Sequence, residues 1–139
     1  MNIINLMVAS SFFINGGIYF SSNLNPGFGI GGGKYLKNFE IPFKFKSFNL
    51  EGNANFSIFS SGLSFPYKFF KNFSTGISIF YSFIKLEKNN LEEIGGTISF
   101  NTFLKIYSEN ERFGSGFEFE FLKGEKQNIF LIGFLIELK

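Results

Sequence analysis

The sequence predicts an all-β chain that forms an antiparallel, up-and-down transmembrane β-barrel of about eight strands (eight to ten), with polar side chains filling its interior. Three observations predict this fold. Apolar and polar residues alternate with a period of two in segment after segment from Asn23 onwards, as in Phe117–Phe121 (FEFEF). Turn-forming residues separate these segments at short intervals. Charged residues make up only 17% of the chain, against roughly 25% in soluble proteins.

The strands are predicted from the alternating segments between turn signals. Gly62 separates two of these segments because the apolar phase changes there: Phe56 and Ile58 are even-numbered, whereas Leu63 and Phe65 are odd-numbered. A β-bulge would produce the same change of phase. The predicted strands cover residues 27–36, 39–50, 53–60, 62–70, 73–86, 94–107, 113–122 and 128–138.

The two faces of these strands differ in side-chain size and polarity. One face collects about two dozen Phe, Ile, Leu and Tyr residues, and the other collects mainly Gly, Ser, Lys and Glu. An eight-stranded barrel has an interior just wide enough to be filled by side chains, so two dozen large apolar groups would overfill it. The apolar face is therefore predicted to point outward into lipid. Four apolar residues fall on the polar face instead: Phe80, Phe103, Leu131 and Leu135.

The polar face carries charges that need partners if they lie inside the barrel. A turn at residues 37–38 places Gly31 opposite Lys44 and Gly29 opposite Lys46, while the last hairpin places Gly133 opposite Glu118. Each of these charges then faces a residue without a side chain. We predict an interior charge network of Lys44, Lys46, Lys68, Lys105, Glu118 and Glu120. The alternative is that these charges are solvated on the surface of a soluble sheet.

The N-terminal segment is predicted to be a signal peptide covering residues 1–22, followed by a single barrel domain over residues 23–139. Residues 3–14 (IINLMVASSFFI) form an apolar stretch that is too short for a transmembrane helix but fits the apolar region of an export signal. The alternative is that residues 3–13 form a further strand, which raises the strand count towards ten.

The composition excludes several chemistries. The chain has no His, Cys or Asp, so the common His-based triads and Cys/His zinc sites cannot be built. A net charge of +2 with a single arginine does not favour nucleic-acid binding. The glycines of residues 27–33 (GFGIGGG) are predicted to line a strand, because no strand precedes them and no helix follows. We predict a non-enzyme with no catalytic residues, metal or cofactor.

The C-terminal segment resembles a known signal. In residues 128–138, Gly133, Ile136 and Leu138 have Gly-x-x-Φ-x-Φ spacing, where Φ is apolar. This resembles the terminal-strand signal that the barrel assembly machinery reads in bacterial outer-membrane proteins. Over residues 23–139 the chain resembles the small eight-stranded barrels of the OmpA and OmpX type, and residues 62–87 resemble a hairpin of FadL-like transporters.

These resemblances imply a place in the outer membrane of a Gram-negative bacterium, with the lipid bilayer and the assembly machinery as partners. They also imply a structural or interaction role, with no open pore because side chains fill so narrow a barrel. The sequence leaves two alternative interpretations open. One is a soluble calycin-like barrel that binds a lipid or another apolar ligand, and the other is a module of a larger outer-membrane transport barrel.

Overall fold

Eight antiparallel strands form the described part of the chain. The structure, a computed structural model, describes residues 12–22, 24–124 and 128–139. Within these residues, no helix is long and apolar enough to cross a membrane. The strands are β1 (Phe12–Ser21), β2 (Leu24–Tyr35), β3 (Glu40–Leu50), β4 (Ala54–Phe70), β5 (Phe73–Lys88), β6 (Leu91–Tyr107), β7 (Phe113–Leu122) and β8 (Ile129–Leu138).

The strands close into a barrel in sequence order. Each strand pairs with the next, and β8 pairs with β1, so the sheet has no edge strand. A path that follows paired residues once around the barrel starts at Ile94 of β6 and returns to the same strand at Leu104, ten residues further along. That displacement requires strands tilted by about 35–45° to the barrel axis. The path runs from Ile94 through Lys85, Ser57, Ser47, Phe28, Ile18, Phe134 and Phe117 to Leu104. The predicted fold class, an up-and-down barrel of about eight strands, is confirmed.

The first strand lies within the segment predicted to be a signal peptide. Phe12–Ser21 forms β1, which fills the position between β2 and β8. The barrel therefore includes Phe12–Ser21, which precede the predicted start of the domain at residue 23. Alternation in β1 is interrupted by Asn15-Gly16-Gly17, which hides the strand pattern in the sequence. Residues 1–11, including most of the predicted apolar region, lie outside the described residues.

The two segments predicted on either side of Gly62 are one strand. The β4–β5 ladder keeps a single register from Ala54 to Lys68. Phe56 and Ile58 are buried inside the barrel, so the phase does not change at Gly62. The prediction was wrong here because it assumed a uniformly polar interior. The predicted total of eight strands was therefore reached by splitting β4 and omitting β1.

The orientation of side chains follows the predicted two faces. In β7, half of the Phe119 surface is exposed on the outside, whereas its neighbours Glu118 and Glu120 are 1% and 2% exposed inside the barrel. The four apolar residues predicted on the polar face, Phe80, Phe103, Leu131 and Leu135, are all buried.

The barrel has two ends, the near rim and the far rim. The near rim contains the start of β1, the end of β8 and the turns at residues 36–39, 71–72 and 108–112. The far rim contains the turns at residues 51–53 and 89–90 and the connections that follow β1 and β7. Strands β4, β5 and β6 are 16 or 17 residues long, against 10 to 12 for the others, so one side of the wall is taller.

Candidate functional site: the barrel interior

Two ion pairs cross the interior from one wall to the opposite wall. Lys44 and Lys46 extend from β3, and Glu118 and Glu120 extend from β7, four strands away around the ring. Lys44 pairs with Glu118, and Lys46 pairs with Glu120. Lys46 Nζ also lies 3.5 Å from Oε1 of Glu118. These buried pairs connect opposite walls of the barrel through its centre.

A third ion pair lies closer to the near rim. Lys105 Nζ of β6 donates a hydrogen bond of 2.9 Å to Glu137 of β8. The other carboxylate oxygen of Glu137 accepts hydrogen bonds from Tyr107 at 2.6 Å and Tyr35 at 3.0 Å. Glu137 was absent from the predicted network. Its odd number, shared with the inward-facing Gly133 and Leu135, was the sequence signal that would have placed it inside.

Lys68 does not join the interior network. Its side chain is 51% exposed near the end of β4, and its Nζ donates a hydrogen bond of 2.7 Å to Glu111. The pairing of β4 with β3 ends at Ser64, so Lys68 extends past the enclosed part of the barrel. In the turn that follows β6, this hydrogen bond lowers the pKa of Glu111. The predicted partners Glu118 and Glu120 lie deeper in the barrel and pair with Lys44 and Lys46 instead.

Glycines of β2 and β8 make room for an aromatic ring beside the charges. The predicted pairs Gly29–Lys46 and Gly133–Glu118 are present in the ladders, as is Gly31–Lys44. A Cβ at Gly29 or at Gly133 would lie 2.5 Å from the ring of Tyr19. The ring centroid of Tyr19 lies 4.6 Å from Lys46 Nζ, a cation–π contact. Tyr19 was absent from the predicted interior because it lies within the segment that was predicted to be a signal peptide.

Small hydroxyl side chains line the wall formed by β4, β5 and β6. Ser60 and Ser82 are 2.7 Å apart, Ser82 and Ser99 are 2.8 Å apart, and Ser78 donates to Ser64 at 2.8 Å. These short side chains leave space for the long lysines that cross from β3. Buried Asn101 has no hydrogen-bond partner for either amide atom within the described residues.

Apolar side chains fill the part of the interior towards the far rim. A buried cluster comprises Tyr19, Phe48, Phe56, Ile58, Leu122, Leu131 and Leu135. The interior therefore changes from charged near the centre to apolar towards the far rim. Among the described residues, no group of three or more acidic side chains is arranged to hold a metal ion.

The residues of the predicted assembly signal all lie in β8. Gly133 faces the interior opposite Glu118, while Ile136 and Leu138 face outward with about half of their surfaces exposed. The strand that carries them pairs with both β7 and β1.

Comparison with known proteins identifies the fold. No protein-family model matches the chain, and no curated protein matches it in sequence. Solved structures do match. The N-terminal β-barrel domain of OprF from Pseudomonas aeruginosa superimposes with a TM-score of 0.66 at 12% identity, covering 93% of this chain and 96% of that one. Neisserial surface protein A gives 0.63 at 8% identity, covering 94% and 99%.

A third match was determined in lipid. The Yersinia pestis outer membrane protein Ail, in a phospholipid bilayer nanodisc, gives a TM-score of 0.60 at 10% identity and covers 91% of this chain and 98% of that one. At such low identities these likenesses show the fold, which is that of small eight-stranded outer-membrane β-barrels.

Proposed function

We propose that this chain, which has the fold of small outer-membrane β-barrels, is an integral outer-membrane protein of a Gram-negative bacterium with a structural or interaction role. The observation that carries the proposal is its inside-out polarity. Charged side chains such as Lys46 and Glu118 are buried inside, while most Phe and Ile side chains are exposed outside. Water would not stabilise such an outer surface, whereas lipid would.

The height of the apolar outer surface supports a membrane-spanning position. On β5 the outward apolar residues extend from Phe73 to Phe83, ten residues along the strand. At about 3.3 Å per residue and a tilt near 40°, they cover roughly 25 Å along the barrel axis, which matches the apolar band of transmembrane barrels. Charged residues bound this band on both sides, at Lys71 and Lys85.

The filled interior supports a role without an open pore. The ion pairs cross the centre of the barrel, and the apolar cluster around Phe48 and Ile58 occupies the part towards the far rim. An ion following the axis would have to displace both. The closed ring also argues against a module of a larger barrel, because each described strand pairs with a neighbour on both sides.

The far rim supports an interaction role. Pairing between β6 and β7 begins at Ser99 and Leu122, so residues 91–98 of β6 rise above β7. Leu91 and Ile94 on this extension are 75% and 69% exposed. With the near rim facing the periplasm, this hairpin faces the outside of the cell. Insertion depends on the barrel assembly machinery, and Gly133, Ile136 and Leu138 of β8 are the proposed recognition residues.

The absence of His, Cys and Asp supports a non-enzymatic protein, because the common catalytic triads cannot be built without them. The test is membrane fractionation followed by gel electrophoresis in SDS without boiling. We expect the chain in the outer-membrane fraction, with a folded band that shifts its migration on boiling. A soluble chain that shows no shift would contradict the proposal and would favour the calycin-like alternative.

A further inference from the structure

The near rim carries an excess of positive charge that the interior network does not use. Among the described residues, six basic side chains lie there, against two acidic side chains outside the barrel interior. The basic residues are Lys34, Lys37, Lys68, Lys71, Arg112 and Lys139, and the acidic ones are Glu109 and Glu111. At the far rim the described residues reverse this balance, with Lys85, Lys88 and Lys123 against Glu51, Glu87, Glu92 and Glu93.

Five of the six near-rim cations have no ion-pair partner within the described residues: Lys34, Lys37, Lys71, Arg112 and Lys139. Lys68 pairs with Glu111. Lys139 differs from the other four unpaired cations because its Nζ lies 4.0 Å from the ring centroid of Tyr107 at the mouth of the interior. The remaining four, Lys34, Lys37, Lys71 and Arg112, are called the free cations. At the far rim, by contrast, Lys85 is paired with both Glu87 and Glu92.

Three of the four free cations lie at the edge of the lipid-facing band. Lys34 is paired across the β1–β2 ladder with Phe12, and its Nζ lies 5.7 Å from that ring centroid. Arg112 directly precedes the outward-facing Phe113. The Lys34 stem therefore covers apolar surface, and both residues lie at the edge of the band, at the depth of lipid headgroups.

Lys71 occupies the same position on the other side of the barrel. It follows Phe70, which is 69% exposed and is paired with Phe73 across the β4–β5 turn. The rings of Phe69, Phe70 and Phe73 form a cluster with centroids 5.3–6.1 Å apart. This apolar cluster ends the lipid-facing band at the β4–β5 turn, so Lys71 lies at the edge of the band, at the depth of lipid headgroups.

From this placement we propose that Lys34, Lys37, Lys71 and Arg112 form a belt that binds anionic glycerophospholipids in the leaflet at the near rim. The inference rests on the proposed function, because it requires the barrel to be in a bilayer. Basic side chains at a membrane surface attract anionic headgroups by charge, and each strengthens binding by about fivefold at its own position. Averaged over all lipids that touch the barrel, we expect at least about a twofold preference for phosphatidylglycerol over phosphatidylcholine.

The test measures boundary lipid directly. The folded full chain is reconstituted in phosphatidylcholine vesicles that contain trace spin-labelled phosphatidylglycerol or phosphatidylcholine, and electron paramagnetic resonance gives the fraction of each that is immobilised. The native chain should prefer phosphatidylglycerol, and 1 M NaCl should weaken this preference because it reduces the Debye length to about 3 Å. The variant K34Q/K37Q/K71Q/R112Q should bind both lipids equally.

The matched control removes charge from the opposite end. K85Q/K88Q/K123Q at the far rim should keep the native preference, and the migration shift on boiling verifies that both variants fold. An equal preference in the native chain and the near-rim variant, or an equal loss in both variants, would overturn the inference while leaving the proposed function intact. Absence of any immobilised lipid around the native chain would instead overturn the proposed function.

Discussion

Lys46→Met is expected to destabilise the folded barrel by about 3–5 kcal/mol, the usual cost of removing one partner of a buried ion pair. Lys46 is completely buried and contacts both Glu118 and Glu120. Methionine would retain most of the stem but would leave Glu120 without its cation and Glu118 with only Lys44. Neither carboxylate can reach water, since each is at most 2% exposed.

Urea unfolding in lipid vesicles, followed by far-ultraviolet circular dichroism, measures this loss without needing a tryptophan, which the chain lacks. Lys85→Met is the matched control, because that lysine also contacts two glutamates but is 42% exposed. Its loss should leave the urea midpoint nearly unchanged, since exposed ion pairs contribute little to stability. The double variant Lys46→Met/Glu120→Gln should recover part of the lost stability. If Lys46→Met unfolds at the same urea concentration as the native chain, the interior ion pairs are not buried as the structure has them.

Three further substitutions probe the outer face, the glycine spaces and the near-rim hydrogen bonds. Phe119→Arg should cost about 2–4 kcal/mol of stability in a bilayer because it places a charge in the lipid-facing band, whereas Phe119→Leu should fold and insert normally. Gly29→Ala should cost about 1–3 kcal/mol by displacing the ring of Tyr19, whereas a Cβ at Gly95 meets no atom within 4 Å and Gly95→Ala should be neutral. Tyr107→Phe should cost about 1–3 kcal/mol by removing a 2.6 Å hydrogen bond to a buried carboxylate.

The same urea assay measures all three. Normal insertion of Phe119→Arg would contradict the outward assignment of β7. Equal stability of the Gly29→Ala and Gly95→Ala variants would contradict the packing of Tyr19 against β2. No change in Tyr107→Phe would mean that the Glu137 carboxylate is satisfied by Lys105 and Tyr35 alone.

Alternation within strands was enough to predict the barrel class and much of its interior. The period of two in β3 and β7 placed Lys44, Lys46, Glu118 and Glu120 on one face, and the short turn after β2 aligned Gly29 with Lys46. These predictions depend only on local geometry, which is the same in every regular antiparallel pair. How the lysines pair across the interior depends on closure of the ring, which local pattern does not report.

The features that were not predicted from the sequence depend on the geometry of the whole barrel. Glycines at the centre of β1 removed the alternation that would have marked it as a strand, so β1 was not predicted as the strand that closes the ring between β2 and β8. The inward-facing residues Phe56 and Ile58 were interpreted as a change of phase because the prediction assumed a uniformly polar interior. In the structure, apolar side chains pack inside the barrel towards the far rim. Lys68 was assigned to the interior by its even number, but β4 extends past its neighbour β3 there.

The proline positions show the same dependence on neighbours. The β3–β4 ladder has no paired residues between Glu40–Ser64 and Phe43–Ser61, the interval that contains Pro42. Pro66 lies beyond the end of this pairing and has only Gly76 of β5 as a partner. A residue without an N–H group is tolerated at both places because no ladder bond is lost there.

An inside-out barrel requires the phenylalanines of β7 to face lipid. The chain has no native cysteine, so a single spin label can be attached in turn at Phe117→Cys, Phe119→Cys and Phe121→Cys in vesicles. Collision rates with oxygen, which concentrates in lipid, and with a water-soluble nickel complex then report the surroundings of each label. We predict frequent collisions with oxygen and rare collisions with nickel at all three positions. Rare collisions with both reagents would place these side chains in a protein core and would contradict the inside-out barrel.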